Sequence, residues 1–470
     1  MRNGAALAAA LGFAWSYAAW FQAVRAEVYA LQAALLLWAL WGLLVFGTRG
    51  ETRALYVAAF ALALALANHH LTALLFGVPA AVFVLARTRR VQTIVRSAGL
   101  LALGLLAFAY VPMRAGHHPV PNWGDAHTAS RLWWLVSAQA FQKSVGAERT
   151  DSGAIDALQV LAATLEQVTV PVFLLALVAL WVLLRRKGLR AETGVLAGVA
   201  LCGAAGPVLV GFDAQNPDAY GYLLPSLSTV FLLASFGLVA VVELACERWP
   251  RARRAVAAGA LGAAVLLPGW QVKANLASAN LRRQEFSDRW AHALLDAVPA
   301  RALVVTSYFE TAFQLWALTN VEGARPDVTH IDRSLLTHAG ERETVVARAP
   351  ELAALVDAPL KTGRSAPLAE LARVAAARPV VWELDMNLDE SVLPHLRSEG
   401  SFARFSPEFA AARGAESAAT DEWRHAAQVE PGARNRLLWY SVTHARFFCA
   451  RGESAAAEES LGFAEELAEL

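Results

Sequence analysis

The sequence predicts an α-helical polytopic membrane protein of about nine spans, followed by an α/β region that ends in a helical hairpin. Three observations predict this class. The 470-residue chain is 56% hydrophobic and only 17% charged, with a mean hydropathy of +0.39. A soluble domain so apolar cannot cover its own surface. The apolar residues are concentrated before about residue 270, in runs approaching the roughly 20 residues that cross a bilayer. Beyond that point, short apolar runs alternate with helical patterns.

The expected spans lie near 5–22, 28–46, 54–68, 71–86, 97–112, 168–185, 191–211, 222–244 and 254–270. The third and fourth are short and fit either a re-entrant pair or a tight helical hairpin. Met1 and Arg2 precede the first run, but no small-residue cleavage site follows it, so it reads as a span and not as a signal peptide. Basic residues orient the set. Arg49 and Arg53 follow the second span. Arg87, Arg89, Arg90 and Arg96 follow the fourth, Arg185, Arg186, Lys187 and Arg190 the sixth, and Arg251, Arg253 and Arg254 the eighth. With nine spans every cluster falls on one side, which the positive-inside rule makes cytoplasmic. The remaining connections then face outward, as does everything after 270. The Ala-, Leu- and Arg-rich composition is of a bacterial type, so the expected location is a bacterial inner membrane with a periplasmic C-terminal region.

Within that region, the short apolar runs in "ARALVVTSYF" (300–309), "RPDVTHID" (325–332) and "RPVVWELD" (378–385) are expected buried strands of a small α/β domain over 271–415. From 416 to 470 the pattern is helical, with a turn at Gly452, and resembles one tetratricopeptide-type hairpin. The transmembrane domain takes 1–270. A net charge of +1 excludes a nucleic-acid partner, and Cys202, Cys246 and Cys449 lie too far apart to form a disulfide framework or a metal site. No metal or cofactor is expected.

Polar residues at membrane depth are costly, so they point to a site. Four clusters share the outward side. Arg25 and Glu27 sit in "AVRAEVYAL", where Glu27 is either an interfacial carboxylate paired with Arg25 or a carboxylate lining a cavity. Asn68, His69 and His70 interrupt "LALANHHLTALL". They fit a helix-to-helix turn, or imidazoles that donate to a phosphate or a sugar hydroxyl; adjacent histidines do not share a helix face, which argues against a two-His metal pair. The loop 114–145 holds Pro119, Pro121 and Gly124, then "PNWGDAH" with Trp123 and Asp125. An amphipathic helix carrying Trp133 and Trp134 follows, as in helices that rest on a membrane surface. Aromatics stack on sugar rings and carboxylates bind hydroxyls, so the turn also fits a sugar site. The last cluster, "GFDAQNPDAYGYLLPSL", brings Asp213, Asn216, Asp218, Tyr220 and Tyr222 into a helix containing Pro225. Polar groups gathered at one face, and not at the midplane, disfavour a transporter.

In this order, "AVRAEVYAL", "ALALANHHLTAL", "PNWGDAHTASRLWWLVSAQAF", "NPDAYGYLLPSL" and "ALVVTSYFETAFQLWALTNVEGARPDVTHIDRSLL" resemble the membrane protein family classed as glycosyltransferase family 117. Its eukaryotic members are protein O-mannosyltransferases, and it belongs to the GT-C superfamily. The resemblance runs over nearly the whole chain. It implies a GT-C-like fold and transfer of a sugar from a polyprenyl-phosphate donor to an acceptor hydroxyl of a protein or glycan, with inversion. Carried over residue by residue, Glu27, Asn68, His69, His70, Trp123, Gly124, Asp125 and Tyr222 match positions of the family's motifs. Glu27, His69 and His70 are the expected catalytic residues, and Arg25, Asn68, Trp123, Asp125, Asp218 and Tyr222 are expected to bind substrate, with Arg25 near a phosphate. Membrane lipid is the implied surrounding. The family's usual base is an aspartate in the first outward loop, near a His-Pro-Pro-Gly-Tyr-like stretch. This sequence has neither, and begins where that family's third helix would stand. The expectation is therefore a glycosyltransferase whose missing loop is supplied, or a noncatalytic membrane scaffold whose extracytoplasmic region binds partners.

Overall fold

The computed structural model describes residues 2–117, 119–120, 122–139, 153–214, 216–283, 285–338, 340–356, 367–385, 391–399, 402–408 and 421–470. Pro121 and the end of the 114–145 loop lie outside the described residues. The chain forms two compact units. One comprises residues 1–110 and 141–281, the other residues 111–140 and 282–470.

The first unit is all helix. In chain order it contains α1 (Arg2–Ala14), α2 (Tyr17–Ala23), α3 (Tyr29–Arg49), α4 (Thr52–Asn68), α5 (His70–Arg87) and α6 (Val91–Leu105). A 3-10 turn carries α6 into α7 (Tyr110–Ala115), and α8 (Ala129–Val136) follows in the second unit. The first unit resumes with α9 (Gly153–Val168), α10 (Val170–Arg185), α11 (Arg190–Val210), α12 (Pro217–Gly221), α13 (Leu224–Arg248) and α14 (Arg253–Ala279).

Every expected span has a helical counterpart, but among the described residues fewer than nine segments meet the length and apolarity of a span. Six helical segments are long and apolar enough to cross a membrane, or eight if the bent pairs α1–α2 and α9–α10 each count as one. The shortfall is α4, whose 17 residues reach only about 25 Å at 1.5 Å per residue. Large apolar side chains remain exposed along the long helices: Trp38 at 66%, Val82 at 65% and Leu201 at 72%. Water penalises such a surface and lipid does not. Arg49, Arg87, Arg185 and Arg248 occupy last turns of their helices, where the helix dipole favours a cation.

α13 is the hub, buried from Leu224 to Gly237 over most of its face and packed on α1, α10 and α11. Two helices break beside it. α1 and α2 meet at 63°, and α9 and α10 at 101°, where Thr169 has φ 68°. A break leaves backbone groups without helical partners, and in an apolar surround these must be satisfied by side chains. Here the breaks brace one another. Gln167 Oε1 accepts from the Ala18 amide at 2.8 Å, Gln271 donates to the Gln167 carbonyl at 3.0 Å, and Asn275 donates to the Trp15 carbonyl at 2.8 Å.

The second unit is built on a five-stranded sheet. Its strands are β1 (Leu303–Thr306), β2 (Thr329–Asp332), β3 (Val380–Trp382), β4 (Leu396–Glu399) and β5 (Phe402–Phe405), in the order β2-β1-β3-β5-β4. The first three are parallel, and β5 and β4 add antiparallel neighbours. The three apolar segments singled out in the sequence are the parallel strands, and the β4–β5 hairpin is additional. α15 (Phe286–Ala297), α16 (Phe309–Trp316), α17 (Glu341–Arg348), α18 (Leu368–Ala377), α19 (Asp421–Val429), α20 (Pro431–Ala450) and α21 (Ser454–Glu469) complete the unit. Alternate strand residues feed two cores, as expected of a sheet covered on both faces. Val305, Ile331 and Trp382 pack with Leu352, Leu371 and Phe448, while Val304 and Val381 pack with Trp290, Leu294, Leu437 and Phe463. α20 and α21 form the hairpin expected around Gly452 and contribute to both cores.

Candidate functional site

Three helix junctions of the first unit converge: α2 to α3, α4 to α5, and the segment entering α12. Each is a place where an apolar run is interrupted by polar residues. The convergence is made by side-chain bonds between the junctions. Arg25 Nη1 donates to Asp218 Oδ1 at 2.7 Å, Arg25 Nη2 lies 3.6 Å from Glu27 Oε1, and the guanidinium sits 5.1 Å over the Phe21 ring. Asn216 caps the α12 start by accepting from the Asp218 amide at 3.0 Å, which holds the carboxylate toward Arg25. Asn68 donates to the Val28 carbonyl and to Gln32 Oε1, both at 3.0 Å. Gln32 donates in turn to the His69 carbonyl at 3.1 Å and to Thr72 Oγ1 at 3.0 Å. This amide relay ties the residue next to Glu27 to His69.

Rings close the group. His69 meets Tyr222 edge-on at 5.2 Å and Tyr29 at 5.4 Å, Tyr29 meets Tyr222 at 5.5 Å, and His70 stacks on His69 at 6.2 Å. Thr72 Oγ1 lies 3.0 Å from His69 Nδ1 and orients that ring. Gly221 makes the arrangement possible, because a Cβ there would lie 2.3 Å from the Tyr29 ring. Gln22, fully buried, donates to the Pro217 carbonyl at 2.7 Å and fixes α12 against α2. Among the described residues its Oε1 has no hydrogen-bond partner.

The chemistry of the cluster is mixed. The side chains of Arg25, Glu27 and Asp218 are 26%, 33% and 41% exposed, so the charges border accessible space and are not sealed in the core. An arginine held by two carboxylates is a preorganised cation. The histidines and tyrosines beside it offer hydrogen-bond donors and ring faces.

The structure thus brings together seven of the nine residues singled out in the sequence: Arg25, Glu27, Asn68, His69, His70, Asp218 and Tyr222. Trp123 and Asp125 belong to the second unit. There Asp125 is buried, accepting from Asn122 at 2.8 Å and pairing with Arg131 and His127. Arg131 continues to Glu343 at 3.1 Å. Trp123 stacks near His338 at 4.6 Å, and Trp134 lies 6.1 Å from the same ring. Gly340, at φ 95°, lets the turn approach, since a Cβ there would lie 2.6 Å from that of Asp125. The turn is accordingly a docked element of the α/β unit. Gln22 and Gln32 were not singled out in the sequence. Single amides and hydroxyls within helices carry no periodic signal, and only their burial identifies them. Among the described residues no three His, Cys, Asp or Glu side chains converge as a metal site would require.

Residues 1–94 match the family described as protein O-mannosyl-transferase TMEM260 N-terminal domain. That stretch covers α1 to α5 and so carries Arg25, Glu27, Asn68, His69 and His70. No curated protein and no solved structure matches the chain. Over the segment that supplies two of the three converging junctions, this multi-pass membrane protein is similar to a protein O-mannosyltransferase family.

Proposed function

We propose that the chain acts in sugar transfer as a member of the GT-C class, glycosyltransferase family 117. It takes a sugar, mannose being the reading most consistent with the matched family, from a polyprenyl-phosphate donor and places it on an acceptor hydroxyl at the periplasmic face of a bacterial inner membrane. The observation that carries this reading is the convergence of Arg25, Glu27, Asn68 and His69, all inside a segment similar to an O-mannosyltransferase domain, with Asp218 and Tyr222 from a later helix junction.

Arg25 meets the donor phosphate, whose charge grows as it leaves. Glu27 takes the proton of the acceptor hydroxyl. The hydroxyl oxygen bonds to the anomeric carbon while the bond from that carbon to the phosphate oxygen breaks. Polyprenyl phosphate departs with the electron pair, and the configuration inverts. His70 donates to the phosphate or to a sugar hydroxyl, and Tyr222 with His69 forms the ring wall. The test uses the purified chain in lipid vesicles with radiolabelled polyprenyl-phosphate mannose and a Ser/Thr peptide. Glu27→Gln is expected to lower transfer by about 100-fold or more. Unchanged transfer refutes the role of Glu27. No transfer by the wild-type chain moves the assignment to a noncatalytic scaffold that binds partners through its C-terminal region.

A further inference from the structure

The second unit contains a cavity of about 510 Å³, a volume typical of small-molecule sites. It opens where such a fold is expected to bind. The chain leaves β1 toward β2 on one side and returns across β1 to form β3 on the other. The connections after β1 and β3 therefore diverge, and a crevice lies between the carboxyl ends of these two strands. Open parallel sheets bind ligands at this point. Tyr308 follows β1, Glu383 follows β3, and both line the cavity.

The opposite wall is one face of α20. Asn435, Arg436, Trp439, Tyr440, Thr443 and His444 all line the cavity, at the spacing that places residues on a single helix face. A helix packed on a sheet normally turns apolar residues inward, and this face presents amide, guanidinium, hydroxyl, imidazole and aromatic groups. Tyr440 stands edge-on to Trp290 at 5.4 Å and lies 3.8 Å from His444. Trp290, also in the wall, is only 4% exposed, and its indole N–H has no hydrogen-bond partner among the described residues. A buried donor left unmade is costly unless something accepts from it.

The polar groups select the ligand. Glu383 accepts from the Ser307 and Tyr308 amides at 2.9 and 3.2 Å and from the Thr311 hydroxyl. Arg436 also donates to Thr311 and lies 3.7 Å from Glu310. The one arginine of the described wall is thus paired with the Glu310 carboxylate, which disfavours an anion such as a nucleotide. The cavity stands over β1 and β3, strands interior to the sheet, so it offers no free edge for strand addition by a peptide. What remains is a neutral ring with many hydroxyls. Aromatic faces stack on it, and the amide, hydroxyl and indole groups exchange hydrogen bonds with it.

We propose that this cavity binds a saccharide unit. The assignment is independent of the transfer role given to the helical unit, and its test separates the two. The full chain is placed in lipid nanodiscs, free of sugar-headed detergent. Saturation-transfer NMR is run with methyl α-D-mannopyranoside, methyl β-D-glucopyranoside, cyclohexanol, trialanine and ADP. Trp439 and Asn435 are exposed, so Trp439→Ala and Asn435→Ala remove cavity groups without opening the core, and circular dichroism checks the fold. The expected result is transfer to at least one glycoside, with Kd raised about tenfold or more in either variant and unchanged in Arg25→Ala. Three results overturn the proposal: no transfer to either glycoside at about 10 mM, equal binding in wild type and both cavity variants, or binding of ADP or trialanine alone. Glycoside binding lost only in Arg25→Ala places the sugar in the helical unit and also overturns it.

Discussion

Arg87 and Arg25 each meet a carboxylate where helices of the first unit join, and their surroundings differ. Arg87, at the end of α5, pairs with Glu192 at the start of α11 and also donates to the Gly188 carbonyl at 3.2 Å. The Glu192 side chain is 6% exposed. Arg25 pairs with Asp218 and lies near Glu27, carboxylates that are 41% and 33% exposed. The first pair latches two helices together. The second stands open, with aromatic and imidazole neighbours. The same two chemical groups therefore serve packing in one place and are available to a ligand in the other, and burial makes the difference.

Four experiments break or sharpen that contrast. Arg87→Ala leaves the Glu192 charge buried without its partner, which costs on the order of 3–5 kcal/mol. Thermal unfolding in nanodiscs is expected to show that loss, and an unchanged midpoint would end the latch interpretation. Gly221→Ala drives a methyl into the Tyr29 ring. It is expected to destabilise by roughly 1–3 kcal/mol and to lower sugar transfer. A double-mutant cycle with Tyr29→Ala checks it, since Gly221→Ala is expected to cost little in the Tyr29→Ala background if the clash is the cause.

The third experiment tests burial of a carboxyl in the other unit. Burial raises Glu383 from the ordinary 4.5 to about 7. Between these values the unfolded chain is ionised while the folded unit keeps the proton. Stability from this group is full below 4.5 and falls as pH rises through about 7. The stability of wild type minus that of Glu383→Gln is therefore expected to fall from pH 5 to pH 8 and then level off. Denaturant unfolding at each pH measures it, and a flat difference refutes the burial argument. His330, lowered to about 4 by burial, bends both curves alike and cancels. The smallest stability effect belongs to Arg25→Ala, within about 1 kcal/mol as for other part-exposed pairs. It is expected to lower transfer by at least an order of magnitude all the same. A large loss of unfolding midpoint would make Arg25 another latch.

The site was legible where polar residues interrupt apolar runs. Arg25, Glu27, Asn68, His69 and His70 stand out for that reason, and the contacts of Asp218 and Tyr222 join them to one cluster. Strands β1 and β3 were legible because a strand inside a covered sheet reads as a short apolar run, LVVT and VVW here, whereas β2 at the sheet edge reads THID. The bends at Ser16 and Thr169 were not, since the residues that satisfy them, Gln167, Gln271 and Asn275, lie far along the chain. The "PNWGD" turn read as a sugar-type motif, and its docking against Gly340 and His338 depends on residues more than 200 positions later.

Composition and local pattern are enough to specify a helical membrane unit, the junctions where charge is tolerated, and the class of the C-terminal region. They report the cost of moving each segment between water and an apolar medium, a property local to the segment. Packing decides which of those charges are sealed and which stay open, how the broken helices are satisfied, and that one face of α20 lines a cavity and not a core. These depend on burial and on partners distant in sequence, and neither exists until the chain has folded.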